Sequence, residues 1–247
     1  MLRIFGDITK CALAFSGGTD SAFLLYQALQ EGVDVKAYYC RSQFQPEFEY
    51  MDALRLVREL NADCSVIDLD VLADADIAAN PPLRCALCKR KLFTTLIAQA
   101  DADGYSVVID GTNASDDEGQ RPGMRVLREL GVRSPLREAG LTKDTIRRLS
   151  KEAGLFTWDK PSYSCLATRL QTGVQLGCDI LGRVEKGETA LMDMGFSNFR
   201  LRTDGVNARL EVPEAQFEAF VAQRQAVLAV LGNLFKTVSI DLKYREV

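Results

Sequence analysis

Cys11-Ala-Leu-Ala-Phe15 runs into Ser16-Gly17-Gly18-Thr19-Asp20-Ser21, and Ala22, Phe23, Leu24, Leu25, Ala28 and Leu29 follow. A short, fully apolar run is what a strand buried on both faces requires, as in a parallel sheet. The apolar positions after the loop have helical spacing, and Gly32 ends them. Strand, glycine loop and helix make the first half of a β-α-β unit. The alternation continues downstream. Residues 33–39, 64–69 and 105–110 read as strands, and 46–60 as a helix with a stripe of Met51, Leu54, Val57 and Leu60. This order predicts an α/β fold with a parallel sheet and right-handed crossovers, whose ligand lies beyond the carboxyl ends of the strands.

The pattern changes after about residue 160. Residues 161–177 read as a loop with Gly173 and Gly177. A helix over 179–194, strands over 199–202 and 208–212, a long helix over 213–235 and a last strand over 237–242 follow. The expectation is a first domain over 1–165 and a small α+β domain over 176–247, serving substrate binding or oligomerisation.

Seven cysteines and no histidine stand among the 247 residues. A metal site with a His ligand, a Ser-His-Asp or Cys-His nucleophile and an imidazole base are therefore excluded. Any soft-metal site must rest on thiolates. The net charge of −4 provides no global basic field for nucleic acid. The start of the chain lacks a signal-peptide apolar region, and no apolar run reaches membrane-spanning length. A cytoplasmic protein with reduced thiols is expected.

In the loop from Ser16 to Ser21, two glycines let backbone N–H groups close on an anion, at a helix N-terminus with its positive dipole end. The hydroxyls of Ser16, Thr19 and Ser21 can add hydrogen bonds. Asp20 could cap the helix or hold magnesium between phosphates. No Gly-Lys-Ser/Thr ending is present, so this is not a Walker A loop. A tight turn with a serine cap is the plainer explanation. The whole hexapeptide directly after an apolar strand favours phosphate binding, and it resembles the SGGxDS signature of the PP-loop ATP pyrophosphatases. Asp110-Gly111-Thr112-Asn113, at the end of another strand, is a second candidate wall of a nucleotide site. Arg121 is a candidate phosphate partner by its guanidinium fork.

Among the cysteines, Cys85-Ala-Leu-Cys88 leads into Lys89-Arg-Lys91, cations that favour thiolates. Cys165 sits in a polar loop with Arg169, where a structural thiol is out of place. Cys11, Cys40 and Cys64 lie in or beside apolar strands and read as core. Cys178 is left as structural.

The motifs Pro81-Pro-Leu-Arg-Cys-Ala-Leu-Cys-Lys89, Asp110–Asn113, Arg121-Pro-Gly123, Ser134-Pro-Leu136, Lys160-Pro-(x)3-Cys-Leu-Ala-Thr-Arg169, Asn198–Arg202 and Ala208–Glu211 occur in an order that resembles the LarE family. The resemblance covers nearly the whole chain. It implies a PP-loop domain followed by a small α+β domain, and an ATP-dependent sulfur transferase. The substrate it implies is pyridinium-3,5-biscarboxylic acid mononucleotide, on the route to a nickel-pincer nucleotide. In one family style, a cysteine matching Cys165 gives up its own sulfur. In the other, Cys85, Cys88 and Cys165 would hold a [4Fe–4S] cluster with one open iron, and the three-cysteine set favours this style. The cofactors implied are ATP, Mg2+ and that cluster, with sulfide or another sulfur donor as partner and a homo-hexamer as assembly.

Arg169, Arg200, Arg202 and Arg209 are candidates to meet the substrate's phosphate and carboxylates, and Glu188 and Glu211 match acidic positions near the family's substrate or metal site. One departure is visible. Thr203 and Asp204 stand where family members often carry a histidine. Two other readings compete: a PP-loop tRNA thiolase with an iron–sulfur cluster, and a non-catalytic ATP-binding protein with structural zinc.

Overall fold

The structure is a computed structural model that describes residues 2–116 and 122–245. Along the chain it forms β1 (Lys10–Ala14), α1 (Thr19–Glu31), β2 (Asp34–Arg41), α2 (Glu47–Glu59), β3 (Asp63–Asp68), α3 (Ala75–Ala78), α4 (Arg84–Ala102), β4 (Val108–Asp110), α5 (Pro122–Glu129), α6 (Pro135–Glu138) and α7 (Lys143–Glu152). Short 3-10 turns follow at Phe156–Asp159 and Leu166–Arg169. The chain then makes α8 (Cys178–Asp193), β5 (Arg200–Thr203), β6 (Ala208–Glu211), α9 (Glu214–Ala222), α10 (Arg224–Leu231) and β7 (Val238–Ile240). Among the described residues, no helix is long and apolar enough to cross a membrane.

Two compact units result. Met1–Val71 with Leu83–Lys160 forms the first, and Leu72–Pro82 with Pro161–Val247 the second. The sequence reading runs the first domain unbroken to residue 165. In the structure, 72–82 groups instead with the second unit, because Ala78 O and Asn80 O accept from Leu176 N and Gly173 N at 2.8 Å each.

In the first unit the parallel sheet has the order β3-β2-β1-β4. Successive residues of a strand point to opposite faces. Thus Leu13 and Tyr39 join Leu24, Leu56 and Ile146 on the face covered by α1, α2 and α7. Ala12 and Tyr38 join Phe93, Leu96 and Leu127 on the face covered by α4 and α5. Burial on both faces accounts for the apolar run at 11–15. The strand expected over 105–110 is only Val108–Asp110, and its outer edge is met by Arg133, which exchanges hydrogen bonds with Val108 and Asp110. The chain leaves β1 toward β2 on one side and returns to β4 on the other. The carboxyl ends of β1 and β4 therefore flank the point where the winding reverses.

The second unit holds a three-stranded sheet of order β5-β6-β7, antiparallel in its first pair and parallel in its second. The long helix expected over 213–235 is two helices that break at Gln223. The break lets Phe220 stack on Phe196 at 3.7 Å between centroids while Val227 and Leu231 bury separately.

Candidate active site

The loop after β1 takes its shape from Gly17, which is left-handed at φ 73°. A Cβ there would lie 2.8 Å from Ala53 Cβ, so α2 can approach only a glycine. Gly18 is the N-cap of α1 and receives no side-chain cap bond. The loop is closed by its hydroxyls instead. Ser21 Oγ accepts from Ser16 N at 3.3 Å and donates to Gly18 O at 3.2 Å. Thr19 Oγ1 donates to Thr157 O at 2.7 Å. The first turn of α1 thus keeps its N–H groups free for an anion.

Asp20 does not cap the helix. Its Oδ2 accepts from Lys143 Nζ at 2.6 Å, and its buried Oδ1 has no hydrogen-bond partner among the described residues. An orphaned carboxylate oxygen at the edge of a phosphate-type loop fits the magnesium expected there. Lys143, at the start of α7, has no motif to mark it in the sequence. It stands 123 positions from Asp20, and only the fold joins them.

The second wall lies beside the first. A Cβ on Gly111 would come within 2.9 Å of Ser21 N, so the β4 exit packs on the backbone of the glycine loop. Asp110 is buried and organises this wall. Its Oδ1 accepts from Ser134 Oγ at 2.6 Å and Thr112 N at 3.3 Å, and its Oδ2 from Thr112 Oγ1 at 2.5 Å. Buried Asn113 donates its N–H to Asp116 Oδ2, and its own Oδ1 accepts from Ser115 N. Ser115 Oγ in turn accepts from Lys143 N at 3.1 Å. Ser16–Ser21, Asp110–Asn113 and Lys143 are thus brought to one place. Arg121 lies outside the described residues.

Cys85 sits in the first turn of α4 and Cys88 one turn further on the same face. Cys85 is exposed, and Arg84 donates to its Sγ at 3.1 Å, a contact suited to a thiolate. Among the described residues, no three Cys, Asp or Glu side chains gather into a group that could hold a metal ion. The other cysteines sort by burial. Burial raises Cys11 and Cys40 to about 12 and Cys64 to about 11. Cys178 is exposed at the first position of α8.

In the second unit, Cys165 opens the turn Leu166–Arg169. Its carbonyl accepts from Thr168 N at 2.9 Å and Thr168 Oγ1 at 2.7 Å. Arg169 is almost wholly buried and spends its donors on the protein. Nε and Nη2 meet Glu188 at 2.7 and 3.0 Å, and Nη1 meets Ser164 O and Thr168 Oγ1 at 2.9 Å each. Burial works against the Arg169 charge, and the Glu188 carboxylate outweighs it, so its pKa is raised. Glu188 also accepts from Leu201 N and from the Tyr163 hydroxyl, whose pKa burial pushes well up. Arg169 and Glu188 therefore lock the Cys165 turn, whereas the sequence offers Arg169 as a substrate contact and Glu188 as an acid near a substrate or metal site.

Arg200 is buried too, donating to Phe199 O and Ser162 O; burial and the Arg169 charge lower it to about 10. Arg202 and Arg209 remain partly exposed on the β5–β6 pair. Arg202 meets Glu211 at 2.9 Å and Thr168 O at 2.5 Å, and Arg209 meets Glu211 at 3.2 Å.

A parallel sheet with a glycine loop at its reversal point, hydroxyls on that loop and a carboxylate beside it defines a PP-loop protein that uses ATP. The fold is similar to that of NMN synthetase from Francisella tularensis, with a TM-score of 0.52 and 22% identity over 64% of this chain and 67% of that one. The chain is 34% identical over 239 residues to the pyridinium-3,5-bisthiocarboxylic acid mononucleotide synthase of Lactiplantibacillus plantarum, covering 96% of this chain and 87% of that protein. It is also 34% identical over 238 residues to an uncharacterized protein of Synechocystis, covering 95% and 86%. No family model matches. The chain belongs to the LarE family of ATP-dependent sulfur transferases.

Proposed function

We propose that this enzyme adenylates a carboxylate of pyridinium-3,5-biscarboxylic acid mononucleotide and converts it to a thiocarboxylate for nickel-pincer nucleotide biosynthesis. The observation that carries the reading is the end-to-end similarity to a synthase named for the bisthiocarboxylic product, across both units of the chain.

A carboxylate cannot expel oxide when sulfur attacks. Its oxygen first attacks the α-phosphorus of ATP, the bond to the β-phosphate oxygen breaks, and pyrophosphate leaves. The N–H groups of the glycine loop face the charge that develops on this leaving group, where fixed donors lower the barrier most. Asp20 would hold the magnesium that neutralises the same charge, and Lys143 stands beside it. A sulfur nucleophile then attacks the acyl carbon and AMP departs. No step needs an imidazole.

Cys85, Cys88 and Cys165 would be the ligands of a [4Fe–4S] cluster. Such a cluster, bound by three thiolates, supplies an open iron that can carry sulfide. Cys85 is exposed, Cys88 and Cys165 are half-buried, and the Arg84 contact at Cys85 suits a thiolate. Arg202 and Arg209, which stay partly exposed, would be the cations that meet the substrate's anionic groups. The reading includes a cytoplasmic setting and a hexamer, which light scattering tests.

The deciding experiment is anaerobic incubation with Mg·ATP, sulfide and the biscarboxylate mononucleotide. Substrate-dependent pyrophosphate release and oxygen-to-sulfur exchange by mass spectrometry are expected; no release would overturn the reading. Iron and sulfide analysis of the wild type and Cys85→Ala tests the cluster. Zinc without iron would refute it.

A further inference from the structure

Lys160 is the last residue of the first unit and lies five positions before Cys165. Its ammonium meets Asp52 at 2.8 Å and Glu49 at 3.1 Å, and its side chain is only 12% exposed. Burial raises the pKa of Glu49, and the Lys160 charge opposes that rise. The Lys160–Glu49 pair is thus largely withdrawn from solvent, and Asp52 lies at its more open side. Both acids lie on α2, the helix whose Ala53 lies against Gly17 of the ATP loop.

The backbone of the same segment is tied down as well. Arg147 on α7 donates to Trp158 O at 3.0 Å and to Lys160 O at 2.9 Å. Thr19 of the ATP loop donates to Thr157 O. Residues 157–160 are thus a strap fastened to α2, to α7 and to the glycine loop itself. The strap is the stretch of chain that leads into the turn of Cys165.

We propose that Lys160 is a positioning residue for sulfur transfer: by locking the strap onto α2 it fixes where the chain leaves the nucleotide unit on its way to Cys165. It touches neither ATP nor the transferred sulfur. Its loss should therefore spare adenylation and impair the later step. The functional half of this inference rests on the sulfur-transferase reading above; the strap itself does not.

The test uses the full-length protein, Lys160→Met, Lys160→Arg and Asp52→Asn. In Lys160→Met, pyrophosphate release should stay within about twofold of wild type while thiocarboxylate formation falls about tenfold or more, and Lys160→Arg should restore most of it. Asp52→Asn, which keeps shape and removes one ion pair, should show a smaller split of the same kind and covers the case in which Lys160→Met does not fold. By amide hydrogen exchange, Trp158 and Lys160, whose N–H groups bond Leu155 O and Thr157 O at 3.2 Å each, should lose protection in these variants, with the sheet unchanged. Equal loss of both half-reactions, unimpaired transfer, or unchanged exchange at Trp158 and Lys160 would overturn the proposal. The exchange result stands whether or not the enzyme transfers sulfur. Absence of pyrophosphate release in the wild type would sink the functional reading without touching the strap.

Discussion

At Gly17, one missing Cβ shapes the glycine loop. Alanine there must adopt φ 73° and push against Ala53, so Gly17→Ala combines left-handed strain of about 1–2 kcal/mol with a steric clash. A lower melting temperature and weakened ATP binding are expected by scanning calorimetry and titration calorimetry. Unchanged ATP affinity would show that the loop does not hold phosphate. Glu188 tests the second unit. Glu188→Gln keeps the shape but leaves the buried Arg169 cation without its counter-charge, and breaking such a pair costs about 3–5 kcal/mol. Urea unfolding measures it, and a cost below about 1 kcal/mol would refute the lock. The residue types of this site were legible in the sequence, but the roles of some were not. The sequence offers Arg169 as a cation near Cys165, and Glu188, through the family resemblance alone, as an acid near a substrate or metal site. Spacing cannot say that their hydrogen-bonding groups are already spent on one another. No motif marks Lys143, and the motif that contains Lys160 does not show its ion pairs, because each lysine meets its acidic partner only through the fold.

Among elements, the strand–loop–helix units were the most legible, because burial on both faces writes itself as apolar runs. The strands starting near Cys11 and Cys64 formed within a residue or so of their expected positions. Ends and breaks were less legible. The β4 strand is short because Arg133 completes its edge from far along the chain, and the helix over 213–235 breaks where no glycine or proline marks it. The turn after β4 was read as a nucleotide wall from composition, and the structure explains its rigidity. Buried Asp110 accepts from Thr112 N, Thr112 Oγ1 and Ser134 Oγ. Asp110→Ala strands those donors, each unsatisfied group costing about 1–3 kcal/mol. The expected result is loss of amide protection around Thr112 and a higher KM for ATP. Full protection in the variant would mean that Asp110 does not organise the wall.

Over the whole molecule, the thiols differ in burial, and Cys11, Cys40 and Cys64 are those whose ionisation burial opposes. In the folded protein Cys11 and Cys40 are pushed to about 12 and Cys64 to about 11, against 9.0 for a free thiol. At pH 8 their thiolate fraction is then roughly a hundred to a thousand times smaller than in the unfolded chain. Iodoacetamide should therefore label exposed Cys85 and Cys178 in the native metal-free protein and reach Cys11, Cys40 and Cys64 only on unfolding. Peptide mapping checks this order. The same shifts set the sign of alkaline stability. The folded state keeps these protons above pH 9 while the unfolded chain releases them, so ionisation favours the unfolded chain. Stability contributed by the neutral thiols is fully present below about pH 9 and falls as pH rises toward 11 or 12, by about 1.3 kcal/mol per thiol between pH 8 and 10. Urea midpoints at pH 8 and pH 10 measure it in wild type and in Cys11→Ala. The alanine variant should lose less stability over that interval than the wild type, because one of the three proton-holding thiols is gone, and an equal loss would show that Cys11 is not held neutral by its burial.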